Sequence, residues 1–322
     1  MASSDTGLQN SWGSGGLWDM TRRVQVVTFI GAGGKTTCLH SITQELESLG
    51  KPVIATTTTK VFPEKHMSSW VSDDPPKSQD KACFWYAKVE DKSGKWIGPT
   101  VNAVDTAISD DLLSFKCRDN QESEQTRKAS IDASSGTVPG LHTDASSSLS
   151  SVPDMHDLHL DQRKRYWVIE GDGARGLRLK CWEPHEPQIP LQSNCAVLVL
   201  DRRLWGKVLQ PNQVHRPQRC SDLLGSVWNA ESSWHYFLGS PVFSTLYRKL
   251  AWVILLNGPG EIIKTVNPMI NQKASEDINI LGELSQKWVE IQARANNLNR
   301  PTHLRLAVGD AKEGAIQWCD LW

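Results

Sequence analysis

Several things are missing from this 322-residue chain, and each absence narrows what it can be. It has no basic excess: 35 Lys and Arg face 36 Asp and Glu, for a formal net charge of -1. A chain so balanced lacks the general electrostatic footprint for a phosphate backbone, so nucleic acid is not the expected partner. It has no long apolar run. The run through Ala251 to Leu256 is far below the span of a bilayer, and the Ser/Gly-rich first twenty residues contain no apolar signal core, so neither a membrane nor export is expected. The expected location is the cytoplasm. Its seven cysteines (Cys38, Cys83, Cys117, Cys181, Cys195, Cys220 and Cys319) stand singly, without a C-x-x-C pair. That pattern argues against a disulfide framework or a structural zinc knuckle, and predicts reduced thiols. There are only four Tyr against fourteen Trp, and no internal repeat.

What is present is an alternation of strands and helices. Residues 1–20 read as a disordered tail, and a single α/β domain is expected over 21–322. The β-branched run Val24 to Ile30 is the first strand. A helix follows, with Leu39, Ile42, Leu46 and Leu49 at helical spacing and a stop at Gly50 and Pro52. Val53 to Thr57 is the next strand. Strand, glycine turn, helix and strand make the unit of a parallel sheet whose ligands bind at the carboxyl edge. Further strands are predicted at 82–87, 166–170, 195–200, 252–256 and 304–308, the last after a helix with Leu281, Leu284, Trp288, Ile291, Ala295 and Leu298 on one face. Two stretches break the pattern, Met67 to Lys81 and Arg118 to Lys164. The second is rich in Ser, Asp and Gln and reads as a long disordered insertion at 118–164.

The chemistry concentrates at three strand ends. A phosphate needs backbone N–H groups at close approach and a helix N-terminus behind them. Gly31, Ala32, Gly33, Gly34, Lys35, Thr36 and Thr37 supply such a turn, with Lys35 for the β/γ-phosphates and the Thr36 hydroxyl as a Mg²⁺ ligand. The usual G-x-x-x-x-G-K-[ST] spacing would place glycine at Phe29, so this is a compact variant, and it resembles the G-x-x-G-K-T-T loop of the Mur-type amide ligases. The Thr56, Thr57, Thr58, Thr59, Lys60 run follows the second strand and can reach the phosphates, the metal or a substrate. The strand Tyr166 to Glu170 ends in Glu170-Gly171-Asp172-Gly173, where one carboxylate can hold Mg²⁺ and the other orient an attacking water, in an order the residues leave open.

The segments Phe29 to Thr37, Ala55 to Pro63, Glu170 to Lys180, Pro184 to Pro190 and Val214 to Pro217 occur in the order seen in the YqeC-like family. The chain resembles that family over Val24 to Pro63 and Tyr166 to Pro217, and faintly over Lys95 to Ser109. Its members are regarded as accessory proteins of selenium-dependent molybdenum hydroxylases. The resemblance implies a P-loop NTPase-like α/β fold, mostly parallel with helices on both faces, ATP or GTP with Mg²⁺, and maturation or cofactor handling for a molybdenum hydroxylase as the role. Catalytic residues are then expected at Lys35, Glu170 and Asp172, with Thr36, Glu170 and Asp172 at the metal. His185 and Glu186 match the family signature and become candidates for substrate contact, with Arg175, and His215 and Arg216 for an anionic group. The chain departs from the family at Gly171, usually alanine, at Arg178, usually proline, and at Cys181-Trp182. Asn257-Gly258-Pro259-Gly260 stands where relatives tend toward Asn-x-x-Asp, a guanine-reading sequence. Two other readings compete: an ATP-dependent ligase of the Mur type and a non-catalytic nucleotide switch.

Overall fold

The computed structural model describes residues 11–76, 82–114, 164–259, 271–294 and 299–322. The strands are β1 (Trp12–Gly15), β2 (Val26–Gly31), β3 (Val53–Thr57), β4 (Lys60–Val61), β5 (Ser68–Val71), β6 (Cys83–Tyr86), β7 (Lys88–Val89), β8 (Trp96–Ile97), β9 (Tyr166–Glu170), β10 (Leu179–Lys180), β11 (Cys195–Asp201), β12 (Val214–His215), β13 (Ala251–Asn257), β14 (His303–Asp310) and β15 (Ala315–Asp320). The α-helices are α1 (Leu17–Met20), α2 (Lys35–Ser48), α3 (101–114), α4 (Ala230–Leu238) and α5 (Asn271–Arg294). Ten strands form one sheet in the order β1-β15-β14-β13-β11-β2-β9-β3-β6-β5. The eight from β14 to β5 run parallel, and β15 and β1 add antiparallel pairings at one edge. The result is a mixed α/β protein with a mostly parallel sheet.

Alternation along the strands decides where the helices pack. In β11, Ala196, Leu198 and Leu200 join Trp234 of α4 and Trp288 of α5, whereas Cys195, Val197 and Val199 join Leu39, Ile42 and Leu46 of α2 on the other face. Val26, Trp167 and Ile169 face Val104 and Ile108 of α3. Every central strand is covered on both sides, so its sequence reads as an unbroken apolar run. Many of the tryptophans go into these layers. Trp234 stacks on Trp288 at 4.7 Å between ring centroids, and Trp85 and Trp167 meet edge to face at 6.2 Å.

The amino-terminal segment differs from the expected tail. From Trp12 to Met20 the chain is a strand and a short helix, with Leu17, Trp18 and Met20 buried. Apolar side chains and a distant arginine tie it down: Arg305 Nη1 donates to the Met20 carbonyl at 2.7 Å, and the same guanidinium pairs with Asp320. Composition alone does not show a partner 285 residues away. Met67 to Lys81 is likewise not all loop, because Ser68–Val71 pairs with β6 as the exposed sheet edge. The insertion at 118–164 lies outside the described residues except for Lys164, and so do Ala295 and Leu298.

The thiol expectation is corrected too. Cys181 and Cys220 form a disulfide across 39 residues, whereas Cys38, Cys83, Cys195 and Cys319 are free and buried. Local spacing misses the bridge because it depends on pairing of β10 with β12, which carries the chain back beside Cys181. Burial raises the four thiols, Cys195 to about 12 and Cys83 and Cys319 to about 11.

Candidate functional site

The carboxyl ends of β2, β9, β11, β13 and β14 open on one cleft of about 1260 Å³, lined by Ala32 to Thr37, Glu170, Asp201, Asn257 and Asp310. At its floor the chain leaves β2 through Gly31, with φ of 93°. At Gly33, with φ of 85°, a Cβ would stand 2.2 Å from the Asp201 amide nitrogen, so only glycine fits between β2 and β11. Gly34 is the N-cap of α2. Among the described residues no side chain caps this helix, and its first turn carries no acid, so its amide end faces the cleft with no side-chain acceptor among them.

Lys35 is 5% exposed. Its Nζ donates to the Gly31 carbonyl at 2.7 Å and lies 3.3 Å from Asp172 and 3.8 Å from Glu170. Burial works against its charge, but the two carboxylates outweigh burial and hold its pKa above the ordinary lysine value. The Thr36 hydroxyl donates to Glu170 Oε2 at 2.9 Å. Glu170 responds oppositely to Lys35: burial raises its pKa, and Lys35 and Thr36 offset only part of the rise.

The two acids at the end of β9 occupy different places. Glu170 lines the cleft. Asp172 is fully buried behind the loop, where both its oxygens accept from the Gly31 N–H at 3.1 Å, Oδ2 accepts from Trp182 Nε1 at 2.8 Å, and Lys180 approaches within 3.3 Å. It therefore fixes the loop from beneath.

The threonine run divides in the same way. Thr57 donates to the Glu170 carbonyl at 3.0 Å, joining β3 to β9, and Thr58 donates to the Gln188 carbonyl at 2.9 Å, joining the turn after β3 to the loop before β11, so both are buried structural joints. Thr59 and Lys60 line the cleft, and Lys60 pairs with Glu90. Of the substrate candidates, Arg175, Glu186, His215 and Arg216 reach the cleft. His185 lies instead on a second cavity of about 520 Å³, beside the Cys181–Cys220 bridge, Trp182 and Tyr236; Glu186 borders both. Glu186 is held by Lys180 at 3.2 Å and by Arg216. Burial, and after it the charges of Lys180, Arg216 and Arg175, lower the pKa of His215, which favours the neutral imidazole.

Three residues of the site escaped sequence reasoning in their actual roles. Lys180, fully buried, donates to the Gly173 carbonyl at 2.7 Å and joins Asp172 to Glu186. Its place at the end of the Glu170 to Lys180 segment is a signal, but a buried lysine is not visible from spacing. Asn257 donates to the Gly33 carbonyl at 3.0 Å and accepts from the Ala311 amide at 3.0 Å, clamping the glycine loop to the turn after β14. Asp201 caps the turn after β11 and accepts three bonds from the Arg203 guanidinium, at 2.9, 3.2 and 2.7 Å.

Fold and site together define an α/β protein with a glycine loop, a lysine and a carboxylate at the carboxyl edge of a mostly parallel sheet. The family model described as "YqeC protein" matches residues 27–218, and the chain belongs to that family. It is 27% identical over 205 residues to the "Uncharacterized protein YqeC" of Escherichia coli (strain K12), covering 63% of this chain and 62% of that relative, just under two thirds of its length. No solved structure gives a significant match. Among the described residues no helix is long and apolar enough to cross a membrane.

Proposed function

We propose that the chain is a P-loop protein that binds ATP or GTP with Mg²⁺ and hydrolyses it. The observation that carries this reading is the α2 amino terminus, which lacks a side-chain cap and opens through a glycine turn onto the cleft with Lys35, Thr36 and Glu170 grouped at its mouth. The donors suit a triphosphate: amides of the Gly33 to Thr37 turn for the phosphate oxygens and an ammonium whose charge is maintained despite burial. The oxygen donors Thr36 and Glu170 suit Mg²⁺, which when bound would neutralise phosphate charge. Glu170, raised in pKa but still facing Lys35, is placed to accept a proton from, or orient, an attacking water. Asp172 acts as a positioning residue that sets the Gly31 amide and Lys35. Arg175 and Arg216 bring positive charge to the cleft beside the neutral imidazole of His215, a lining suited to an anionic second ligand.

The role in maturation or cofactor handling of a molybdenum hydroxylase, with or without selenium, rests on family resemblance and is proposed on that ground alone. The compact loop resembling that of the Mur-type amide ligases keeps the ligase reading as an alternative. The switch reading is kept by one contact: Lys60, at the cleft, is tied to Glu90 of the β7–β8 turn, so a ligand drawing Lys60 inward would release that turn.

The test is binding and turnover of ATP and GTP by the full chain with Mg²⁺, with the Lys35→Ala variant separating its activity from contaminants. Expected is saturable binding and a turnover absent from the variant. Absence of both binding and turnover with ATP and with GTP sinks the proposal. Partners that copurify in the nucleotide-bound state name the client.

A further inference from the structure

Outside the phosphate cleft, one group of side chains has metal-ligand character. His40 lies on α2, one turn beyond Thr36, and Glu64 and His66 lie on the segment between β4 and β5. One ligand atom from each falls within 4.8 Å of the other two. The imidazoles of His40 and His66 are 4.7 Å apart between centroids and tilted by 53°. His40 Nε2 is enclosed and has no hydrogen-bond partner in the described structure, a costly state for a buried ring nitrogen. Glu64 Oε1 accepts from the His66 amide at 3.1 Å, which holds the carboxylate next to the second histidine and leaves its other oxygen for a ligand.

We propose that His40, Glu64 and His66 bind a divalent transition metal ion, with Zn²⁺ the best fit. Two imidazoles and a carboxylate suit Zn²⁺ and its borderline neighbours and disfavour Mg²⁺ and Ca²⁺, which take oxygen ligands. Around a tetrahedral ion with bonds of about 2.0–2.1 Å the ligand atoms stand roughly 3.3 Å apart, so the three close by at most about 1.5 Å. Three protein ligands leave a fourth position for water. The ion satisfies the orphaned His40 nitrogen and pins the segment from Phe62 to His66 against α2. Since Val61 and Phe62 line the cleft, the pinned segment is one of its walls. The site does not depend on the nucleotide reading, because none of its ligands touches the phosphate cradle.

The experiment strips the full chain with a chelator and titrates Zn²⁺ against a chromophoric competitor, with X-ray absorption at the zinc edge on the loaded protein. Expected are one equivalent of Zn²⁺ in a nitrogen/oxygen shell without sulfur, affinity undiminished by millimolar Mg²⁺, and a loss of roughly 100-fold or more in His66→Ala. Glu64→Gln should weaken binding as well, and His235→Ala, in the second cavity, should not. His66 is exposed, so its replacement leaves the fold intact, and circular dichroism checks this; should His40→Gln fail to fold, the His66 and Glu64 variants decide. Absence of stoichiometric binding, sulfur in the shell, or equal affinity in His66→Ala overturns the proposal, and so does displacement by Mg²⁺.

Discussion

The two carboxylates that end β9 sit two residues apart and live in opposite environments. Glu170 faces the cleft with one side-chain hydrogen bond, from the Thr36 hydroxyl, a more distant Lys35 and a raised pKa. Asp172 lies under the glycine loop, its oxygens engaged by an amide, an indole and two ammonium groups. The difference teaches that an acidic strand end can divide its labour: one acid is left under-satisfied at the open cleft, and the other is saturated so that the loop above it holds one shape.

The comparison can be broken in stability measurements first. Asp172→Ala leaves Lys35 and Lys180 without their shared counter-ion, and a loss of about 3–5 kcal/mol is expected in denaturant unfolding. Equal stability to the parent chain would mean that the buried network does not hold the loop. The Cys181–Cys220 bridge secures the same wall from farther away, and its reduction is expected to remove about 2–4 kcal/mol, read as a lower unfolding midpoint with reductant. At the other acid the expectation reverses: Glu170→Gln keeps the shape and the Thr36 contact, so stability should change little while nucleotide turnover falls roughly 100-fold, about 2.7 kcal/mol in the barrier.

A pH series sharpens the contrast. Because burial raises the Glu170 pKa, protonation on acidification begins above the ordinary value of 4.5. A site that needs this carboxylate ionised should hold Mg²⁺-nucleotide at neutral pH and lose it as pH falls, with an inflection above 4.5 that Glu170→Gln abolishes. The smallest effect belongs to Lys60→Ala. Its pairing with Glu90 is exposed and screened by solvent, so unfolding should hardly shift, and a nucleotide affinity lowered only a few-fold would place Lys60 at the rim.

Much of the scaffold was legible because parallel strands covered on both faces leave a plain mark. The seven strand segments read as apolar runs correspond to β2, β3, β6, β9, β11, β13 and β14, and the stop at Gly50 and Pro52 closes α2. β1 and β5 were not legible, since edge strands such as the exposed Ser68–Val71 lack that mark, and β15, next to the edge, interleaves buried positions with more exposed ones instead of forming an apolar run. Of the site, the glycine loop with Lys35 and Thr36 could be read from order and spacing. The division of Glu170 from Asp172 could not, because burial is decided by Lys180 and Trp182, which the parallel pairing of β10 with β12 and the turn after it bring underneath. The same holds for His185: the Pro184 to Pro190 signature fixes its neighbours in sequence, while the path of the chain sends it to the other cavity.

The pairing of β1 with β15 carries a practical consequence. Trp12–Gly15 occupies the hydrogen-bonding side of Ala315–Asp320 and lies over the indole of Trp318, against which a Cβ at Gly13 would stand 2.5 Å away. A chain trimmed to begin at residue 21 would present an unpaired strand flanked by a bared tryptophan, a template for self-association. Expression starting before Trp12 should give monodisperse protein where the shorter form aggregates.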